Sequence, residues 1–386
     1  MNIGIIGTGT RSVLYLNQIL GGVRENITVK ALADTDEEKL KKYAKEYFSD
    51  ENMPSLYTDF NEMMASEDLD MVFICTPDSK HTDIVLPILR MNKNILLEKP
   101  MATTIEDCKA IYSESMKHDK YFYLGFVLRY TPLYRKVKEI IDSGGLGDII
   151  AVEAKEMLEY LHGASYMRRW HRFKKNSGGF LNTKCCHDMD LLNWLIGSDP
   201  EFVSAFGSRS YFNPKKEAAM RCPECNLKDT CRYFFKSEDY LEYNCVEDIC
   251  VYNSEKDIYD NEIVNIQYEN GVKASFTVTM LSDTETRTLI IFGSDATLYA
   301  DLTKNIIEVK GIHPNNTKVY NITVGQEAHS GGDAGILETM FDAINNQKGT
   351  AFNDARAGLL SSAMTLAAEK SINEKTIVNI KEFIGL

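Results

Sequence analysis

The first six residues set the strongest constraint on the fold. Residues 2–6, NIGII, form an unbroken apolar run that ends abruptly at Gly7-Thr8-Gly9 and passes into helical spacing over about 11–22. A strand apolar on both faces belongs inside a parallel sheet covered by helices on each side. The same alternation then recurs. ITVKALAD (27–34) reads as a second strand, followed by a Lys/Glu-rich helix at about 36–48, then SLYTDF, a helix near 59–66 and the apolar strand DMVFICTP (70–77). A helix near 83–94, the strand ILLEKP (95–100), a helix at about 104–118 and the strand YFYLGF (121–126) continue it. Strands separated by helical patterns predict an α/β domain built on a parallel sheet.

After Phe126 the pattern changes. A helix at about 132–143 ends in SGGLGD, and then IIAVEAKEML, FVSAFGSRSYF, NEIVNIQYE, VKASFTVTML, RTLIIFGS, ATLYADL, NIIEVKG and TKVYNITV follow with strand alternation. This predicts a second, α+β domain with a large, open, mostly antiparallel sheet. It has a helix pair at about 184–196 and 333–346 and a closing helix at 354–371. With 386 residues the chain exceeds what one core usually organises, so domains over 1–125 and 126–386 are expected, with the closing helix free to pack back near the first. No Pro-rich linker or repeat marks the boundary, which rests on the change of pattern.

Composition excludes several classes. No run approaches the roughly 18 apolar residues of a membrane span, and a formal charge of −13 opposes non-specific nucleic-acid binding. MNIGIIGTGTRS carries no basic, apolar leader pattern. The cysteines are nine, an odd number, and Cys75 and Cys108 fall in strand and helix patterns, which suits reduced thiols and a cytoplasmic location. An open antiparallel sheet needs a cover on its second face, so a homo-oligomer, dimer or tetramer, is expected.

Gly7, Gly9, Thr10, Arg11 and Ser12 stand where a strand turns into a helix, and there backbone N–H groups and the positive helix end hold a pyrophosphate. Ser12 replaces the third glycine of the usual fingerprint. Asp34 ends the second strand at the spacing of an acidic residue that accepts from ribose hydroxyls. With Asp36 it disfavours a 2′-phosphate, so NAD is expected over NADP. The other reading of Asp34 and Asp36 is that they cap the next helix. Thr76, Pro77, His81, Glu98 and Lys99 lie at or just beyond the carboxyl ends of later strands, where ligands of open α/β sheets bind.

With the GTG turn, Asp34 and Glu98-Lys99-Pro100 in register, the chain resembles the Gfo/Idh/MocA family of sugar and cyclitol oxidoreductases over nearly its whole length. The resemblance implies an N-terminal Rossmann domain that binds NAD and a C-terminal domain that binds substrate and mediates oligomerisation. It also implies that Lys99 lies beside the nicotinamide and the reacting hydroxyl. GGFLNTKCCHDMDLLNWLIG (178–197) resembles the family segment that ends in a histidine, which His187 matches as a proton acceptor. Here the chain departs from the pattern, because Thr183 stands where many members carry an aspartate. Lys184 follows it, and helical spacing puts Lys184 and His187 on one face, so Lys99, Lys184 and His187 are the candidate catalytic residues. Arg129, Tyr130, Trp170, His171 and Thr183 are candidate substrate contacts, since bidentate donors and aromatic faces suit polyhydroxylated or carboxylated ligands.

RCPECNLKDTCRY sets Cys222, Cys225 and Cys231 at C-x2-C-x5-C spacing, with Cys245 and Cys250 downstream. Three thiolates plus a fourth, Cys250 or Cys245, would close a tetrahedral structural zinc site or, less readily, hold an iron–sulfur cluster, and reduced thiols without metal are the alternative. The expected reaction is hydride transfer between nicotinamide and a carbinol carbon of a sugar, sugar derivative or cyclitol. A redox-assisted glycosidase or lyase and a non-catalytic nucleotide-binding sensor are the rival readings.

Overall fold

Parallel pairing begins at the N-terminal apolar run. In the computed structural model, which describes residues 1–240, 245, 247–313, 316–324, 328–346 and 352–385, β1 (Asn2–Ile6) is followed by α1 (Thr10–Leu20), β2 (Thr28–Ala33) and α2 (Glu37–Tyr47). Next come β3 (Ser55–Tyr57), α3 (Phe60–Ser66), β4 (Met71–Ile74), α4 (His81–Arg90), β5 (Asn94–Leu97), α5 (Ile105–Ser115) and β6 (Phe122–Leu124). The six strands run in the order β3-β2-β1-β4-β5-β6, all parallel. The order reverses direction beside β1, and the strand ends there, outside the β1 and β4 carboxyl termini, form the crevice in which such sheets hold nucleotides.

The second set of elements is α6 (Pro132–Asp142), β7 (Ile149–Glu159), α7 (Tyr160–Tyr166), α8 (Lys174–Ser177), α9 (Phe180–Ile196) and β8 (Pro200–Ser208). Then follow β9 (Asn261–Tyr268), β10 (Lys273–Ser282), β11 (Thr286–Gly293), β12 (Ala296–Asp301), β13 (Ile306–Gly311) and β14 (Thr317–Asn321). The chain closes with α10 (Gly332–Asn346), α11 (Ala355–Glu374), β15 (Val378–Asn379) and α12 (Ile380–Ile384). Nine strands make one sheet in the order β14-β13-β12-β11-β7-β10-β9-β8-β15, antiparallel except for the parallel pair β7 and β10.

Two compact units result, Met1–Thr131 with Gly325–Leu359, and Pro132–Val324 with Leu360–Leu386. The helix read from sequence at 333–346 as part of the second half thus belongs to the first unit. Its Ile336, Leu337, Met340 and Phe341 join Ile3, Ile5, Tyr15 and Leu16 in one core. Periodicity reveals a buried stripe but not which core receives it.

In the second unit α9 has 14 of its 17 residues buried, so it is enclosed on nearly all sides, and its polar side chains sit in a low dielectric. Ser361 and Thr365 of α11 donate to the Cys186 carbonyl and the Asn182 side chain. On the opposite face of the sheet, Phe206 (75% exposed) pairs across strands with Ile263, and Tyr299 and Val319 are exposed on the same face.

Candidate active site

The first unit builds a dinucleotide cradle from its opening turn. Gly7 has φ +90, and a Cβ there would lie 2.7 Å from the Cys75 carbonyl oxygen, so only glycine lets the turn press against the end of β4. Gly9 is the N-cap of α1, makes no side-chain cap, and has no atom within 4 Å of where a Cβ would be. The first turn of α1 therefore has no side-chain cap from its N-cap residue, and a helix N-terminus of this kind suits a diphosphate. Ser12, fully buried, donates its hydroxyl to the Gly9 carbonyl at 2.7 Å, so the residue that replaces the third glycine braces the turn. Thr10, in contrast, is exposed.

Asp34 is fixed toward the same turn. Its Oδ2 accepts from the Thr8 backbone and hydroxyl at 2.8 and 2.7 Å and from Lys39 Nζ at 2.8 Å, while among the described residues Oδ1 takes only the Asp36 N–H at 3.1 Å. Burial opposes ionisation, but the bonds from Lys39 and Thr8 outweigh it and hold the carboxyl below its ordinary value. Oδ1 keeps acceptor capacity for a ribose hydroxyl. Asp36, not Asp34, caps α2, accepting from the Lys39 N–H. Thr76, at the end of β4, has a buried hydroxyl without a hydrogen-bond partner among the described residues, a polar atom suited to a bound cofactor. The open cradle, the fixed carboxylate and this hydroxyl fit a nicotinamide dinucleotide.

Three residues expected to touch the cofactor have other duties. Arg11 points its guanidinium inward, with Nε 2.7 Å from Glu98 Oε1 and a terminal nitrogen 2.8 Å from Asp333. Glu98, 3% exposed, also accepts from the Tyr15 hydroxyl at 2.6 Å and from the Lys99 backbone N–H at 3.1 Å. Glu98 is thus a buried anchor for the Lys99 turn. Gly125 lets it sit there, since a Cβ at Gly125 would come within 2.9 Å of its carboxylate. His81 is fully buried, with Nδ1 2.8 Å from the Pro100 carbonyl and Nε2 3.1 Å from that of Thr76. It ties the two strand-end turns together. A sequence locates a residue near a strand end but not which way its side chain turns.

Pro77 is exposed and Lys99 partly so, and a cis peptide joins Lys99 to Pro100. Arg129 lies 3.8 Å from the buried carboxylate of Asp354, and Tyr130 packs on the first unit's core.

In the second unit, α9 starts at Gly179 (φ 102) after the left-handed Gly178. Thr183 and His187 are both buried, at 2% and 7% exposure. Lys184 Nζ lies 3.1 Å from Glu156 and 3.6 Å from Glu285, and Arg287 Nε lies 2.7 Å from Glu156 and 2.8 Å from Asp188. Burial works against the charge on Lys184, but Glu156, Tyr166 and Glu285 raise its pKa well above the ordinary lysine value. Lys184 is thus held toward its ammonium form between Glu156 and Glu285. Burial, with Glu156 adding to it, pushes Asp188 up to about 6 against the pull of Arg287. Trp170 and His171 stack on each other, ring centres 3.6 Å apart, and Tyr166 meets His171 at 5.2 Å.

Sequence reading missed His162, Glu285, Arg287 and Glu156. Only Glu156 left a signal: it falls in the buried register of β7, between Ala154 and Leu158. Arg287 and Glu285 come from a strand end that nothing in the local pattern distinguishes.

The metal expectation finds no support among the described residues. Among the described residues no group of three or more His, Cys, Asp or Glu is placed to hold a metal ion. Cys222, Cys225, Cys231 and Cys250 do line one cavity, but the fully buried Arg168 lines it too, with a guanidinium nitrogen 3.6 Å from Cys222 Sγ. A permanent cation there repels a second one. Cys245 is buried and free.

Comparison with known proteins agrees with this layout. Residues 1–126 match the oxidoreductase family model described as the NAD-binding Rossmann fold, and 138–380 match its C-terminal alpha/beta domain. "Putative oxidoreductase YteT" of Bacillus subtilis is 26% identical over all of this chain and 99% of that protein. Inositol 2-dehydrogenase of Salmonella typhimurium is 27% identical, but the match spans 54% of this chain and 58% of that one. The solved structure of levoglucosan dehydrogenase in complex with NADH and L-sorbose superposes with a TM-score of 0.80, covering 99% of both chains at 17% identity, which supports the fold. No described helix is long and apolar enough to cross a membrane. With the Rossmann model on its first 126 residues and the C-terminal model on most of the rest, the chain belongs to the Gfo/Idh/MocA family of oxidoreductases.

Proposed function

We propose that this oxidoreductase uses NAD to move a hydride to or from a carbinol carbon of a sugar, sugar derivative or cyclitol. The observation that carries the reading is the cradle at Gly9 and Asp34, joined through Arg11 and Glu98 to the turn that presents Lys99. The cofactor, when bound, accepts or donates the hydride. The chain's own part is orientation and proton handling. In the first unit Lys99 is the candidate to hold the substrate oxygen; in the second, His187 is the candidate to exchange a proton and Lys184, paired with Glu156 and Glu285, to stabilise negative charge. Relatives named for inositol and levoglucosan support the substrate class. The test is to offer NAD with a panel of sugars, cyclitols and glycosides, and to follow reduced nicotinamide together with released product. Net NADH supports a dehydrogenase. Glycoside turnover without net NADH supports the redox-assisted glycosidase, and tight NADH binding with neither supports a sensor.

Asp34 sets the cofactor preference. Asp34→Ala removes charged hydrogen bonds worth roughly 1.5–3 kcal/mol. It is expected to lower kcat/KM for NAD about 10- to 100-fold, and to affect NADP less because Lys39 is then free to meet a 2′-phosphate. Parallel kinetics with both cofactors check this.

The exposed face of the nine-stranded sheet is proposed to pair with a second copy of the chain. Placing Asp at Phe206 and Ile263 puts charge at the centre of that apolar pair, and light scattering is expected to show a smaller species than the wild type at equal concentration.

A further inference from the structure

Between β8 and β9 the described residues form only short turns, yet four cysteines of this stretch come together. Cys222, Cys225, Cys231 and Cys250 line one cavity with Arg168 and Tyr233. Of the nine cysteines in the chain, Cys225 and Cys231 alone reach partial exposure, and the rest are buried. An oxidant in solvent therefore meets the cavity through those two thiols.

The backbone decides which thiols can join. Cys222-Pro223-Glu224 forms a single 3-10 turn, closed by the Cys225 N–H on the Cys222 carbonyl at 3.1 Å. In such a turn the side chains at i and i+3 eclipse, and their Cα atoms stand less than about 7 Å apart. A disulfide spans Cα separations of about 4.4–6.8 Å, so the turn brings its two thiols to bonding range with little backbone movement. Pro223 stiffens it by fixing φ. Cys250 is less well placed toward Cys222. Arg221 pairs with Ile249 in an antiparallel bridge, the Cys222 N–H donates to the Asp248 carbonyl at 2.8 Å, and the Cys250 N–H donates to that of Met220 at 2.8 Å. Cys222 and Cys250 are thus diagonal across the bridge, and diagonal positions lie about 7–8 Å apart. Cys231 belongs to a separate turn, its N–H on the Leu227 carbonyl at 2.8 Å.

We propose that Cys222 and Cys225 are a redox-active dithiol, which a hydroperoxide closes to a disulfide and a small-molecule thiol reopens. All of its parts lie in the second unit, and the chemistry is independent of hydride transfer. The Cys225 thiolate attacks one peroxide oxygen, the O–O bond breaks, and the departing oxygen takes up a proton as water or alcohol, leaving Cys225 as a sulfenic acid. The Cys222 sulfur then displaces hydroxide from Cys225; the S–S bond forms, and the Cys222 proton leaves with that hydroxide as water. The two thiols lose the electron pair that the peroxide gains. Arg168 serves the second step. A guanidinium nitrogen lies 3.6 Å from Cys222 Sγ, and Nε holds the Ile249 carbonyl at 2.9 Å, so a fixed positive charge stands beside the sulfur that must give up its proton. Burial raises the Cys222 thiol above its ordinary value, against the Phe235 N–H and the charge of Arg168. Cys222 therefore waits as a thiol until Cys225 is oxidised.

The experiment treats the full reduced chain with stoichiometric hydrogen peroxide, blocks free thiols by alkylation and weighs the tryptic peptides. Cleavage after Arg221 and Lys228 puts both sulfurs in the peptide 222–228, whereas Cys231 falls in 229–232. The expected product is peptide 222–228 without alkyl groups and lighter by two hydrogens than its dithiol. Reduced glutathione added before the block is expected to restore the doubly alkylated peptide. Cys225→Ser should abolish the closed form and Cys231→Ser should leave it; serine is nearly isosteric, both positions are partly exposed, and circular dichroism checks that each variant folds. Should either fail to fold, the wild-type peptide map decides alone. A doubly alkylated peptide 222–228 after peroxide, a cross-link from it to the peptide of Cys231 or Cys250, or a sulfinic acid at Cys225 without the bridge overturns the assignment. So does a stoichiometric metal ion that co-purifies with the chain and shields these thiols.

Discussion

Lys99→Met is expected to lower kcat for hydride transfer by about 10²- to 10⁴-fold, the range for losing a positioned proton-transfer group, while NADH still binds. The proposed dinucleotide cradle is the backbone of the Gly7–Gly9 turn with Asp34, none of which depends on the lysine amine. The Lys99 backbone is separately fixed through Glu98, which Arg11, Tyr15 and the Lys99 N–H engage. Methionine preserves length and apolar stem, so the turn keeps its shape and only the amine is lost. Fluorescence titration with NADH and single-turnover rates on one sample separate the two effects. A variant that retained rate within a few-fold would show that Lys99 is not part of the chemistry.

Lys184→Met is expected to act on stability first. The ammonium is 14% exposed and lies against Glu156, whose side chain is 1% exposed. Removing one member of a buried ion pair costs roughly 3–5 kcal/mol, because the remaining charge is left uncompensated. Arg287 still balances part of that charge, which places the expected loss at the lower end, a fall in Tm of roughly 10 °C. Lys184→Arg, which keeps the charge, is expected to recover much of it. The defect also carries a pH signature. Glu285 is held well below its ordinary carboxylate value in the folded wild type, so it adds stability that is fully present above about pH 4.5 and is lost as pH falls toward 2. In the variant the charge of Lys184 no longer lowers Glu285, so this acid-side loss should be smaller and complete at a higher pH. Thermal melts across that range check both statements.

The pattern from NIGII to YFYLGF was legible because each strand is apolar on both faces and each helix on one, a period that survives without knowledge of the partner. The observed parallel order of β1 to β6 follows that pattern. The second sheet was legible in outline, but its parallel pairing of β7 with β10 was not, since register between distant strands leaves no local trace. Lys99 and His187 entered the reading through motifs, whereas His162 and Glu285 did not, because 123 residues separate them in the chain.

By itself, the sequence determined which backbone segments become strands and helices and which of them ends in a glycine turn able to receive a diphosphate, since these depend on side-chain periodicity and on the conformational freedom of Gly7. Only the tertiary structure decided where charge goes. Arg11, Glu98 and His81 turned inward, Lys184 paired with Glu156 and Glu285, and Arg168 came to lie among the cysteines. Burial makes each unpaired charge costly, so every one of these groups is governed by the partner that folding brings to it.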